Sequence, residues 1–169
     1  MFDWKAINRI GGRKMTVLAG YQKREYGSEY ESVKGKTLKE IAKIMRGRLK
    51  VFAGVGAIPE DWQYSVRVNH GSSIDIKIVI PDELNALLDQ YEESKYAEFG
   101  SVWSTFAVEH GLVGEYLPLK EVVLVRNFVQ SVHDSFNYNN SDYQTDYFDV
   151  NFYGGVRVIS KKNYEAYYK

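Results

Sequence analysis

The chain has 169 residues, with 22 Lys/Arg against 22 Asp/Glu and no cysteine. A length of this order points to one domain, 1–169, able to bury about two-thirds of its unfolded surface. The missing cysteines exclude disulfides, thiolate metal sites and thiol nucleophiles together, and they fit a reducing compartment. No apolar run approaches the roughly 18 residues of a membrane span, and the start Met1-Phe2-Asp3-Trp4-Lys5 lacks the apolar stretch of a signal peptide. The expectation is a cytoplasmic protein with no membrane partner.

The charge is balanced in sum and uneven along the chain. Residues 1–50 carry 13 Lys/Arg and 5 Asp/Glu, a net +8, and residues 51–169 carry a net −8. Such a split suits a bipolar surface that meets nucleic acid or a charged protein, and equally a basic helix packed near acidic elements of its own domain. There are 14 tyrosines. Tyrosine gives large contact area at low entropy cost and is enriched at interfaces, which leans toward binding over catalysis.

In chain order, 1–33 carries weak signals. Gly11-Gly12 followed by Met15-Thr16-Val17-Leu18-Ala19-Gly20-Tyr21 reads as a turn and an N-terminal strand or arm, and 26–32 reads as an exposed loop. A helix over 38–52 is well marked. Thr37 and Glu40 make a T-x-x-E capping box, and Leu38, Ile41, Met45, Leu49 and Phe52 form one apolar stripe. Lys39, Lys43, Arg46 and Lys50 lie opposite, and Gly54 and Gly56 end the helix.

Two alternating strands follow. Trp62, Tyr64, Val66 and Val68 share one face, as do Ile74, Ile76, Ile78 and Ile80, and His70-Gly71-Ser72-Ser73 joins them as a hairpin. After Pro81 a second helix is expected over 82–99 with Leu84, Leu87, Leu88, Tyr91, Lys95 and Phe99 as its stripe. A shorter one is expected over 101–110, and a third long helix over 118–136 turns Val122, Val125, Val129, Val132 and Phe136 inward. Phe148, Val150 and Phe152 alternate in a strand. Gly154-Gly155 reads as a primed turn, with Val156, Val158 and Ser160 returning as a second hairpin. The tail 161–169 holds one helical turn with Tyr164, Tyr167 and Tyr168. The pattern implies an α+β fold: a mostly antiparallel sheet of two hairpins with three to four helices packed on it.

No phosphate-cradling loop, dinucleotide fingerprint or H-E-x-x-H helix is present. His70, His110 and His133 sit in separate elements without metal-ligand spacing, and no cofactor or metal is expected. The acids of 133–153 lack the spacing of a calcium loop. Asn137, Asn139, Asn140, Ser141 and Asp142 fit Asx and Ser turns that stop the helix and aim the next strand. Three polar groupings remain as candidate binding residues. They are the basic helix face Lys39, Lys43, Arg46 and Lys50; Arg67, Asn69 and His70 on the polar side of the hairpin; and Asn140, Asp142 and Tyr143 in the late block.

The stretches 36–43, 64–68, 71–76 and 136–153 together resemble one of the large polyvalent-protein-associated domains of phages and conjugative elements, over about residues 34–160. The late block Asn137-Tyr138-Asn139-Asn140-Ser141-Asp142-Tyr143 through Tyr153 carries most of the likeness. His70 departs from it, standing where the family's turn has a first glycine. The resemblance implies a bacterial host cell as the setting and a host defence complex as partner. It implies a non-enzymatic mobile-element protein that inhibits host defence, a CRISPR-Cas nuclease complex being the leading target. Two other functions stay open on the residues alone. One is a nucleic-acid-binding accessory domain that contacts DNA or RNA through the basic helix. The other is a small enzyme using Arg67, His70, Asp142 and Asp146 between the two hairpins.

Overall fold

Thr37 and Glu40 close on each other as the sequence implies. The Thr37 amide donates to Glu40 Oε2 at 2.8 Å and the Glu40 amide donates to Thr37 Oγ1 at 3.4 Å. The helix they start is one of the main supports of the sheet in the computed structural model, which describes residues 25–93, 102–103, 111–141 and 149–168. The elements are β1 Glu25–Tyr26, α1 Tyr30–Val33, α2 Leu38–Gly54, β2 Gln63–Asn69, β3 Ser73–Ile80, α3 Asp82–Glu93, α4 Leu119–Ser135, β4 Tyr138–Asn139, β5 Val156–Ser160 and α5 Lys161–Tyr168. The mixture of helices and a short mixed sheet is an α+β fold, as expected.

The central sheet has the order β2-β3-β5. β2 and β3 form the expected antiparallel hairpin, with Val66 opposite Ile76 and Arg67 opposite Asp75. At its turn His70 has φ 52° and Gly71 φ 70°, and the Ser72 amide donates to the Asn69 carbonyl at 3.3 Å. Glycine takes a positive φ without strain, whereas histidine holds it at a steric cost.

The second hairpin does not form. β5 runs parallel to β3, with Ile76 beside Val156 and Ile80 beside Ser160. The Gly154-Gly155 pair is therefore no reversal. The chain passes straight through it along β3: the Ile74 amide donates to the Tyr153 carbonyl and the Ile76 amide to the Gly155 carbonyl, both at 2.9 Å. Gly154 has φ 107°, and a Cβ there would collide with the Ile74 carbonyl. Gly154 serves a close approach between backbones, a use the sequence pattern does not distinguish from a turn. The sheet is accordingly mixed, with one hairpin and one parallel crossover through α3 and α4.

One sheet face is apolar. Ile74, Ile76, Ile78 and Ile80 are buried on it, beside Val66 and Val156. A fully buried residue of this kind contributes roughly 1.5–3 kcal/mol. Ile41, Met45 and Leu49 of α2, and Val122, Val125, Val129 and Val132 of α4, close over the same core, with the Phe52 and Phe128 rings edge to face at 5.0 Å. The expected stripes on both helices face the core, with Leu38 and Phe52 only half-buried against it. On α3 only Tyr91 is fully buried, with Leu84, Leu87 and Leu88 packed partly against the core.

Two further expectations are corrected. The segment 26–32 is not a loop. Tyr26 pairs with Tyr138 in a small antiparallel ladder, and Tyr30–Val33 makes a helical turn with Val33 buried. The Gly27 and Glu29 amides donate to the Asn137 and Ser135 carbonyls, each at 2.8 Å, so this segment satisfies the exposed end of α4. The tail is longer than one turn. α5 starts with the Asn163 amide on Ser160 Oγ at 3.1 Å and the Lys162 amide on Asp82 Oδ1 at 3.0 Å. It lies on the polar sheet face, opposite the other long helices, where Tyr164 meets Ser65 and Arg67. The arm at 15–21, Lys95, Phe99 and all but Val102 and Trp103 of the 101–110 helix fall outside the described residues.

Candidate functional site

α2 presents a basic stripe. Lys39, Lys43 and Lys50 are exposed on the side turned away from Ile41, Met45 and Leu49, and none makes an ion pair among the described residues. Arg46 lies in the same stripe but is committed elsewhere. Its Nε and Nη2 donate to the Val66 carbonyl at 3.1 and 2.9 Å, tying α2 to edge strand β2. Arg48 pairs with Glu29 at 3.2 Å, and Lys34 with Glu31 at 3.8 Å. Like charges four apart, as at Lys39 and Lys43, cost a few tenths of a kcal/mol, and an anionic partner would reverse that sign.

Arg67 points to the other face of the sheet, since its neighbour Val66 is buried in the core. That face carries the cross-strand row Ser65, Lys77 and Arg157, and the opposite-charge pair Arg67 and Asp75 beside it. Asp75 also accepts a hydrogen bond from the Asn69 side chain. Tyr164 of α5 is buried against this face. Its hydrogen bond with Ser65, with Arg67 and Lys77 adding, holds its phenol below the usual range despite the opposing effect of burial. The α2 stripe and the Arg67 cluster are thus separated by the sheet. His70 is exposed at the hairpin tip.

The described parts of the late block, 137–141 and 149–153, form a polar network. The Asn137 side chain acts as a backbone surrogate: Nδ2 donates to the Phe152 carbonyl at 2.8 Å, and Oδ1 accepts from the Phe152 amide at 3.2 Å and the Tyr138 amide at 2.9 Å. Asp149 accepts from Tyr138 Oη at 2.7 Å and Asn140 Nδ2 at 3.0 Å. The Ser141 amide on Asn139 Oδ1 at 2.9 Å is an Asx turn of the kind expected. Asn140 is therefore spent on holding Asp149. Tyr26, Tyr30 and Tyr138 stack beside the network at 5.1–5.8 Å between ring centres. Asp142, Tyr143, Asp146 and Phe148 lie outside the described residues.

His133 is 1% exposed and structural in its contacts. Nε2 lies 3.0 Å from the Ile74 carbonyl, so Nε2 carries the proton that is donated, and Nδ1 lies 3.1 Å from Asp134 Oδ1. Gln130 bridges onward, its Nε2 donating to Asp134 Oδ1 at 2.8 Å and its Oε1 accepting from the Val156 amide at 3.2 Å. Among the described residues no three of His, Asp and Glu gather as a metal ion would require. No helix among them is long and apolar enough to cross a membrane.

The hairpin register sets Arg67 and Asn69 close to the turn at His70, and sequence reasoning did not find Tyr164, Lys77 and Arg157 as their neighbours. Period-two spacing already placed Lys77 on the polar face. The parallel pairing that sets Arg157 beside it had no local signal. A comparison with protein-family models, curated proteins and solved structures finds no match to this chain.

Proposed function

We propose that this chain is a non-enzymatic binding protein of a phage or other mobile element that inhibits a host defence assembly, with a CRISPR-Cas nuclease complex as its first target. The observation that carries the reading is the α2 stripe. Three exposed lysines stand in one row without acid partners among the described residues, on a helix that Arg46 fixes to the sheet. A rigid cationic ridge suits an acidic or RNA-bearing surface, because steering and charge complementarity set both rate and register of docking. The family likeness of the late block supplies the biological setting.

The test is co-purification of the tagged chain with candidate defence nuclease complexes, read by size exclusion, alongside protection of phage from those systems. A co-eluting complex that is lost in the Lys39→Glu/Lys43→Glu variant supports the proposal. Absence of any complex and of any protection overturns it. The same stripe also supports a second reading, contact with DNA or RNA. There the wild type binds nucleic acid with a salt slope that falls by about one per lysine reversed. Flat binding at low salt excludes that reading.

A further inference from the structure

On the polar sheet face, a pocket of about 360 Å³ is lined by Lys77, Arg157, Val158, Ile159 and Tyr167. We propose that it binds the phosphate of a nucleotide, with Arg157 and Lys77 holding the anion and the Tyr167 ring stacking on the base. This is distinct from the α2 ridge and does not rest on it.

Three observations converge. First, Lys77 and Arg157 are register partners on adjacent parallel strands, so two cations stand side by side on one face. A phosphate placed between the two side chains can accept hydrogen bonds from both. Second, Arg157 is exposed and forms no ion pair among the described residues, so its planar donors remain available to phosphate oxygens. Asp75, on the same face, is set opposite Arg67 and bonded to Asn69. Third, Tyr167 is 78% exposed although it lines the pocket. A large aromatic left in water beside two cations fits stacking on a base, a contact that accepts any base because each has a π-face.

The volume suits one nucleotide, free or at the end of a strand, and the experiment separates these sources. The full chain is titrated calorimetrically at low salt with inorganic phosphate, with nucleoside mono- and triphosphates, and with a 5′-phosphorylated oligothymidine. Nucleotides are expected to bind, with Arg157→Gln weakening them by about tenfold or more. Tyr167→Ala is expected to weaken nucleotides while leaving inorganic phosphate unchanged. Tighter binding of the oligonucleotide than of any free nucleotide assigns the site to strand ends, and the reverse assigns it to free nucleotides. Both substituted side chains are exposed, so unchanged melting temperatures keep the comparison clean. The Lys39→Glu/Lys43→Glu variant should bind nucleotide like wild type, which separates this site from the α2 ridge. No heat with any probe at millimolar concentration overturns the proposal, and so does binding that Arg157→Gln leaves intact. Equal affinity for nucleotide and inorganic phosphate with Tyr167→Ala silent overturns the base-stacking assignment.

Discussion

Arg46 reaches across from α2 to the carbonyl of Val66, donating from Nε at 3.1 Å and from Nη2 at 2.9 Å. β2 is an edge strand, and alternate carbonyls of an edge strand look outward with no ladder partner. One cation of the basic stripe therefore fastens the helix that displays the others. Arg46→Ala should cost about 1–2 kcal/mol in urea unfolding, at the lower end of a charged hydrogen bond because the group is partly solvated. Lys43→Ala should change stability by less than about 0.5 kcal/mol. Equal losses for the two variants would show that Arg46 is one more surface charge.

Gly154 and Gly155 are adjacent and should respond very differently to the same substitution. Gly154→Ala places a Cβ against the Ile74 carbonyl at a φ of 107°, and the neighbouring backbone has no freedom to withdraw. A loss of about 3 kcal/mol is expected, from strain and collision together. Gly155→Ala meets only Gln130 Oε1 at 3.7 Å, an ordinary contact, and should be tolerated. Thermal melts of the two variants decide this. A pair that melts together would mean that β5 does not run against β3 as described.

Local chemistry was legible and long-range pairing was not. The capping box at Thr37, the stripes of α2 and α4 and the alternation of β2 and β3 are properties of neighbouring residues, so spacing alone locates them. The partner of β5 is chosen by a crossover of dozens of residues. A glycine pair next to a short apolar strand reads the same whether the chain reverses or runs on. Gly27 shows the same limit: it reads as loop, yet its value lies in fitting against the carbonyls of Asp134 and Ser135. The candidate site suffered most. Arg46 and Asn140 look like free polar groups in sequence and are hydrogen-bonded within the fold, while Lys77 and Arg157 become neighbours only through the parallel ladder.

His70 holds a positive φ of 52° at the hairpin tip without glycine's freedom. A left-handed non-glycine residue costs about 1–2 kcal/mol, and the entropy glycine adds to the unfolded chain returns about 0.4–1 kcal/mol of that. His70→Gly should therefore stabilise by roughly 0.5 kcal/mol. His70→Val, branched at Cβ, should destabilise by about 1 kcal/mol. Chemical denaturation midpoints ordered Gly above His above Val support this geometry, and any loss of stability in His70→Gly contradicts it.

The capping box also makes a prediction about acid. Thr37→Ala removes the side-chain acceptor of the Glu40 amide and should cost about 1 kcal/mol near neutral pH. Glu40 itself titrates low. The Thr37 backbone amide foremost, then the Thr37 hydroxyl, hold its carboxyl below the ordinary value of 4.5. A carboxylate whose folded value lies below its unfolded value stabilises the fold above the unfolded value, and that contribution fades as pH falls through the folded one. The window thus opens just below 4.5 and runs downward. Glu40→Gln keeps the chain length and removes the titration. Its melting temperature should fall less steeply than that of wild type over this window, so the two curves converge on acidification. Curves that stay parallel down to about pH 3 would show that the carboxylate is not held by Thr37 in the folded protein.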